Sequence, residues 1–323
     1  MPELTYLEAI RQAQIEEMCR DGDVLVMGQD MRTSLYGATG LLGMFGEERV
    51  IDLPTSETAA VGTGVGAAMT GLRPVVDMTF ACFTFVAMDQ FVSQVAKARY
   101  VSGGALRLPV TYRMLFIYDA GVGVQHSDRP HPMFMSIPGI KIVAPTTPAD
   151  AKGLLKSAIR DDDPVIVFED SYLWDTKGAV DGDVETLVPL GSADVKRAGE
   201  DVTIVALGRC VSFALSAAEQ LERDGISAEV IDLRSLAPID WPTIFASVEK
   251  TGRLVAVDPA VRTCSAASEV VATVCEARYG ALRAAPRRVA SPPVHSPYAS
   301  VLEHSIYPDT AKIHAAALAT VNG

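Results

Sequence analysis

The stretch that decides the fold runs from Ile51 to Phe83, IDLPTSETAAVGTGVGAAMTGLRPVVDMTFACF. It leaves a short apolar strand, passes Thr55 and Ser56, either of which can N-cap a helix, and enters a helical segment predicted over Ser56–Gly71. A second apolar strand follows at Pro74–Phe80. Strand, helix and strand in that order are the unit of a parallel sheet covered on both faces. Glu57 falls in the first helical turn, where the dipole favours a carboxylate. Gly62, Gly64 and Gly66 together cost roughly 2–3 kcal/mol relative to alanine, a cost that suits a helix approached closely by a backbone or a ligand. Ala60, Gly64, Ala68 and Gly71 keep one face small, which predicts tight packing against a neighbouring helix or subunit. On spacing alone, a capped core helix with Glu57 as a solvated acid is the commoner arrangement.

The same alternation extends in both directions. An opening amphipathic helix is predicted over Thr5–Arg20, strands at Val24–Gly28 and Val50–Leu53, and a helix at Met88–Val101. Strands at Pro109–Phe116, Lys141–Ala144 and Val165–Phe168 follow, with a helix at Pro148–Arg160 between the last two. From Trp174 to Asp201 the pattern lapses into Gly, Asp, Lys and Pro, the composition of a boundary. It resumes with strands at Val202–Leu207, Ala228–Leu233 and Leu254–Val257, and helices at Ser212–Arg223, Trp241–Lys250 and Ala266–Tyr279. The expectation is an α/β protein of two domains, residues 1–185 and 186–323, each a mostly parallel sheet flanked by helices.

Composition narrows the function. Of 323 residues, 49% are hydrophobic and 21% charged, the make-up of an ordered globular chain. A net charge of −12 repels phosphate backbones and anionic lipid, so neither nucleic acid nor a membrane surface is an expected partner. The longest near-apolar run, Met78 to Met88, falls well short of the roughly 20 residues that span a bilayer. Glu3, Glu8, Glu16 and Glu17 crowd the first twenty residues, which do not read as a targeting signal, and a cytoplasmic protein is expected. Five cysteines without a C-x-x-C pair, and five histidines without metal-ligand spacing, argue against disulfides and zinc.

A second segment, Tyr118 to Gly139 (YDAGVGVQHSDRPHPMFMSIPG), is long for a loop in a compact domain, and loops of that length are often functional. It carries His126, of the residue type best suited to proton transfer near neutrality, although a lone loop histidine is more often a hydrogen-bonded surface group. The phosphate-loop and dinucleotide patterns are absent: there is no G-x-x-x-x-G-K-[ST], and GTGVGAAM is not G-x-G-x-x-G after a strand.

Seven pieces in order, LLGMFGEERVIDLPTSE, the glycine-rich helix with GLRPV, FACF-TFVAMDQ, KARYVSGG, GVGVQHS, PGIKIVAPTTPADAKGLLKSAIRDDDPVIVFED and VIDLRSLAPID, resemble the β subunits of thiamine-diphosphate-dependent 2-oxo acid dehydrogenases, the decarboxylating first component of those complexes. The resemblance spans nearly the whole chain. It implies a pyrimidine-binding domain followed by a transketolase C-terminal-like domain. It matches Glu57 to the carboxylate that holds a proton on the aminopyrimidine ring and so favours the imino tautomer that deprotonates the thiazolium carbon. Phe83 matches an aromatic stacking position beside that ring, and Phe85 a neighbouring position that is often tyrosine. His126 matches an active-site histidine suited to proton transfer or to steering the acyl acceptor. KSAIRDDD resembles a K+ loop in which the carbonyl groups of Ala158, Ile159, Asp161 and Asp163 join that of Val110.

In the superfamily, diphosphate and Mg2+ are held by a G-D-G segment ending in a distal asparagine. This chain has no G-D-G, and its single asparagine is Asn322. The resemblance therefore implies a separate α subunit carrying that half of the cofactor site, in an assembly of two α and two β subunits. The activity implied is decarboxylation of a pyruvate-like 2-oxo acid, or cleavage of acetoin, with the acyl group passed to a lipoyl acyltransferase component. Departures leave room for a second reading, an acyltransferase or carboligase with a non-lipoyl acceptor. His131 stands where the family often has glutamate, Met133 replaces a tryptophan, Ser136 replaces a second histidine, and Cys82 replaces an aspartate. VDPAVRTCSAASE departs from the commoner V-D-E-G form, and Thr263 or Ser265 can cap the helix it leads into.

Overall fold

The computed structural model describes residues 2–33 and 37–323. Thr5 sets the first helix with a reciprocal pair of bonds. Its hydroxyl accepts from the Glu8 N–H at 3.2 Å, and the Glu8 carboxylate accepts from the Thr5 N–H at 2.8 Å. The elements that follow are β1 (Glu3–Thr5), α1 (Tyr6–Arg20), β2 (Val24–Gly28), α2 (Leu41–Phe45), β3 (Val50–Asp52), α3 (Glu57–Met69) and β4 (Arg73–Phe80). Next come α4 (Ala98–Val101), β5 (Thr111–Phe116), α5 (His131–Met135), β6 (Lys141–Val143), α6 (Pro148–Arg160), β7 (Val165–Asp170) and β8 (Lys177–Ala179). The remainder is β9 (Asp194–Arg197), β10 (Val202–Ala206), α7 (Cys210–Arg223), β11 (Ala228–Asp232), β12 (Ser235–Ala237), α8 (Trp241–Thr251), β13 (Leu254–Val261), α9 (Ala266–Arg278), β14 (Arg287–Ser291), α10 (Ser300–Ile306) and α11 (Thr310–Val321).

The chain divides into two units. One comprises residues up to Ile117 together with Met133–Leu190, the other Tyr118–Pro132 together with Gly191–Gly323. In the first, the strands lie in the order β6-β7-β5-β4-β2-β3 and every pairing among them is parallel. Strands β2, β5 and β7 are buried at every residue, as expected of central strands covered on both faces. On one face α1 packs against α6 through Tyr6, Ile10, Ala13, Leu154 and Leu155, all fully buried. In the second unit the order is β14-β13-β10-β11-β9, parallel except for the antiparallel edge strand β9. Its core gathers Val202, Ile204, Leu221, Val230 and Val255 under α7 and α11. Two mostly parallel sheets flanked by helices are as the sequence predicts.

The helix expected over Met88–Val101 is broken. A 3-10 turn covers Ala81–Ala87, a π-helical turn covers Gln90–Val95, and α-helix is confined to Met88, Asp89 and Ala98–Val101. The wider turn seats Phe91, fully buried, edge-on to Tyr112 (centroids 4.9 Å apart) and to Phe134 (5.0 Å). Apolar periodicity alone does not register that change of pitch. Among the described residues no helix is long and apolar enough to cross a membrane.

Candidate active site

Strand β2 is a switch point. From it the chain moves outward to β3, then returns through α3 to β4 on the other side of β2. In open parallel sheets such a reversal leaves a crevice at the carboxyl ends of the strands, the usual place for a ligand. A small, open cleft lies there. Gln29 lines it from beyond β2, Pro54, Ser56 and Glu57 from the start of α3, and Asp77 and Thr79 from the end of β4. Gly28 permits the close approach of β2 and β4, because a Cβ there would lie 2.6 Å from the Asp77 carbonyl oxygen.

Glu57 is the first residue of α3 and is half-buried in this cleft. Among the described residues its carboxylate takes no hydrogen bond. Ser56 occupies the N-cap position, yet its side chain makes no capping bond, so the capping predicted from Thr55 or Ser56 is not made by Ser56. The helix start is thus left open beside an acid that the fold does not use. Opposite, the backbone of β4 bulges between Asp77 and Phe80, and Thr79 adopts φ +54°. Asp77 Oδ1 holds this turn by accepting the Thr79 N–H at 2.8 Å. Bulges with left-handed non-glycine residues are characteristic of ligand sites.

Phe83 sits in the following 3-10 turn, half-buried and edge-on to Phe80 at 5.6 Å. Phe85 is exposed, and the Val86 carbonyl accepts the Thr58 hydroxyl at 3.1 Å, which fastens this turn to α3. Glu57, Phe83 and Phe85 are therefore set by neighbouring elements of one unit. His126 belongs to the other unit, half-buried in the Tyr118–Pro132 loop, with its N–H donating to Gly123 O at 3.4 Å.

The carbonyl set named for K+ lies around the end of α6. Val110 O accepts the Val165 N–H at 3.0 Å, and Ala158 O accepts the Asp161 N–H at 3.3 Å. Arg73 Nη1 donates to both Ile159 O and Asp161 O at 3.1 Å. Asp163 pairs through its side chain with Arg99 and Lys141. The Arg73 guanidinium, itself a cation, thus occupies two of the five carbonyl groups named for K+. Among the described residues no group of three His, Cys, Asp or Glu side chains is arranged to hold a metal.

The small face of α3 requires a correction. Ala60, Gly64 and Ala68 are buried within their own unit, where a Cβ on Gly64 would meet Val76 Cγ2 at 2.8 Å and the Tyr112 hydroxyl at 3.3 Å. This face fits the chain's own sheet rather than a neighbouring subunit. Gly71 is a turn residue at φ +102°. The exposed residues of the helix are Thr58, Ala59, Thr63, Gly66 and, at its end, Met69.

Sequence reasoning missed the buried charges beneath the cleft. Arg113 donates to Glu169 through Nε (2.6 Å) and Nη2 (3.0 Å), and to Asp77 through Nη1 (3.1 Å), all three side chains being almost wholly buried. Burial raises the pKa of both acids from their ordinary values despite the guanidinium beside them. The signal was present in VVDMTF, TYRMLF and VIVFED, where a charge interrupts each apolar strand.

Comparison with known proteins agrees with this architecture. Residues 2–173 match the transketolase pyrimidine binding domain family, and residues 191–313 the transketolase C-terminal domain family. The chain is 43% identical to 2-oxoisovalerate dehydrogenase subunit beta of Bacillus subtilis, with 98% of each chain covered. It is 41% identical to the subunit beta of acetoin:2,6-dichlorophenolindophenol oxidoreductase of the same organism, over 96% of this chain and 95% of that one. It is also 41% identical to the pyruvate dehydrogenase E1 component subunit beta of Rhizobium meliloti, over 97% of this chain and 69% of the relative. A solved split-gene transketolase, described as an inactive beta4 tetramer, superposes with a TM-score of 0.80 at 22% identity, covering 99% of this chain and 98% of that one.

Proposed function

Since this chain belongs to the thiamine-diphosphate-dependent family of 2-oxo acid and acetoin dehydrogenase β subunits, we propose that it is the β half of an enzyme that decarboxylates a pyruvate-like 2-oxo acid, or cleaves acetoin, and transfers the acyl group to a lipoyl carrier. The observation that carries this reading is Glu57: a half-buried carboxylate at an open helix start, lining a cleft at the sheet's switch point, with no hydrogen bond to the fold among the described residues. A carboxylate so placed is the acceptor that a protonated ring nitrogen needs, so the residue fits the aminopyrimidine of the cofactor. When bound, thiamine diphosphate supplies the electron sink for cleavage of the bond beside the substrate carbonyl.

This chain's side chains do the rest. Glu57 holds a proton at the pyrimidine ring nitrogen, and Phe83 and Phe85 provide apolar contact beside the ring. His126 moves a proton or orients the acyl acceptor. The diphosphate and Mg2+ fall to an α subunit, since this sequence offers no G-D-G segment. The exposed small side of α3 suits close packing with that partner, in an assembly of two α and two β subunits. Residues 1–185, apart from the Tyr118–Pro132 loop that groups with the second unit, make up the pyrimidine-binding domain, and 186–323 the C-terminal-like domain, of a cytoplasmic enzyme.

Co-expression with an α subunit tests the reading. Turnover of pyruvate, 2-oxoisovalerate or acetoin, with acylation of a lipoyl domain, is expected only when both chains, thiamine diphosphate and Mg2+ are present. Tight cofactor binding by this chain alone would overturn it.

K+ at the carbonyl groups of Val110, Ala158, Ile159, Asp161 and Asp163 belongs to the same proposal. Replacing K+ by Na+ at constant ionic strength is expected to lower the thermal midpoint of the assembled enzyme, because a ligand that binds only the folded state stabilises it. Equal midpoints in the two salts would remove the cation from the proposal.

A further inference from the structure

One departure from the family pattern and an aspartate far from it in sequence are parts of one feature. His131, in the altered 128–136 stretch, and Asp258, in VDPAVRTC, meet inside the second unit with Nε2 and Oδ1 3.1 Å apart. Both side chains are fully buried. Asp258 also accepts the N–H groups of Ala260 at 2.7 Å and Ala267 at 3.4 Å, so it is held by the end of β13 and the start of α9. His131 is flanked by Pro130 and Pro132, which restrict the backbone on either side of the contact.

The other end of the loop is tied equally firmly. Glu303, fully buried on α10, accepts the N–H groups of Asp119 at 2.9 Å and Gly121 at 2.8 Å. Between the ties the backbone is left-handed at Asp119, Gly121 and Gly123, a path that a free segment would not keep. Ser127 Oγ donates to Gly123 O at 2.7 Å. Arg129 donates to Ser127 O and to the Tyr307 hydroxyl, and its guanidinium lies 4.7 Å from the Tyr307 ring centroid. His126 lies in the middle of this braced arch, five residues before His131.

We propose that the His131–Asp258 pair is a positioning device that fixes the Tyr118–Pro132 loop so that His126 presents its imidazole in one orientation. This rests on the reading of His126 given above. Neither His131 nor Asp258 touches substrate; both act through the loop. A residue misplaced by about 1 Å costs on the order of 100-fold in rate, so a loop of this kind needs an anchor at each end.

The test uses the assembled α/β holoenzyme with a lipoyl domain as acceptor. His131→Ala combined with Asp258→Asn removes the tie without leaving a charged buried carboxylate unpaired. It is expected to lower kcat about 10- to 100-fold, with KM for the 2-oxo acid unchanged. His131→Gln, whose amide reaches as far as Nε2 and donates to the same carboxylate, is expected to keep kcat near that of the parent enzyme. In a His126→Ala background the untied variant is expected to cause no further loss, because residues acting through one group are not additive.

A multiplicative loss in that background, or an unchanged kcat in the untied variant alone, overturns the positioning role while leaving His126 in place. If His126→Ala itself has no effect, the reading of His126 falls first and this inference with it. Should the untied variant fail to assemble while His131→Gln assembles, the pair is a folding element and the proposal is overturned.

Discussion

Replacing Glu57 by glutamine is expected to lower kcat of the assembled enzyme by about 10²–10⁴-fold, the range contributed by a positioned proton-transfer group. Glutamine has the same shape and still reaches the cleft, but its amide cannot hold and release a proton at the ring nitrogen. The fold itself has little stake in this side chain. Among the described residues Glu57 accepts no hydrogen bond, and its position is set by the backbone of α3 rather than by its own contacts. The thermal unfolding free energy is therefore expected to change by less than about 0.5 kcal/mol, as for a residue away from core, cap and ion network. Steady-state kinetics beside calorimetry separate the two quantities. Full activity in Glu57→Gln would remove the observation on which the functional proposal stands.

Arg113→Met is expected to do the reverse, unfolding the first unit before it touches the chemistry. The guanidinium faces two almost wholly buried acids, forked on Glu169 and single on Asp77. Removing it leaves both without their cation, and breaking a buried pair in this way costs about 3–5 kcal/mol. Burial already raises both carboxyl groups from their ordinary values. A carboxyl whose pKa is raised on folding favours the folded state while protonated, and that contribution is lost as pH rises through the raised value. Without Arg113 the rise becomes larger, so the destabilisation should shrink on acidification and grow toward alkaline pH. Denaturant melts of Arg113→Met at several pH values check both magnitude and slope. A loss independent of pH would show that the missing packing volume, not the stranded acids, dominates.

The division between what the sequence reveals and what it hides follows the kind of signal involved. Val24–Gly28 and Pro148–Arg160 are read to the residue, because continuous apolar runs and a proline after a capping threonine mark them. The break of Met88–Val101 into 3-10 and π turns is hidden, since it answers to the ring packing of Phe91 in three dimensions. The edge strands Asp194–Arg197 and Arg287–Ser291 are hidden too, being short, charged and partly exposed. The place of Glu57 at the start of α3 is legible from an acid that follows two capping residues and opens a glycine-rich helix. The meeting of His131 with Asp258 is not, because nothing in local spacing joins residues 127 positions apart. The small face of α3 was legible as small but not as inward: the pattern does not say whether the neighbour is the chain's own sheet or another polypeptide.

Asp77 serves the ion network and the cleft wall at once, since it accepts from Arg113 inside and from the Thr79 turn at the rim. For anyone engineering this enzyme, the strands that bear Asp77, Arg113 and Glu169 are poor ground for thermostabilising libraries, because a repacked interior would reach the cleft beside Glu57 as a shifted wall. The exposed residues of α9 and α11 belong to the other unit and to neither the ion network nor the lining of that cleft, so substitutions there leave both untouched.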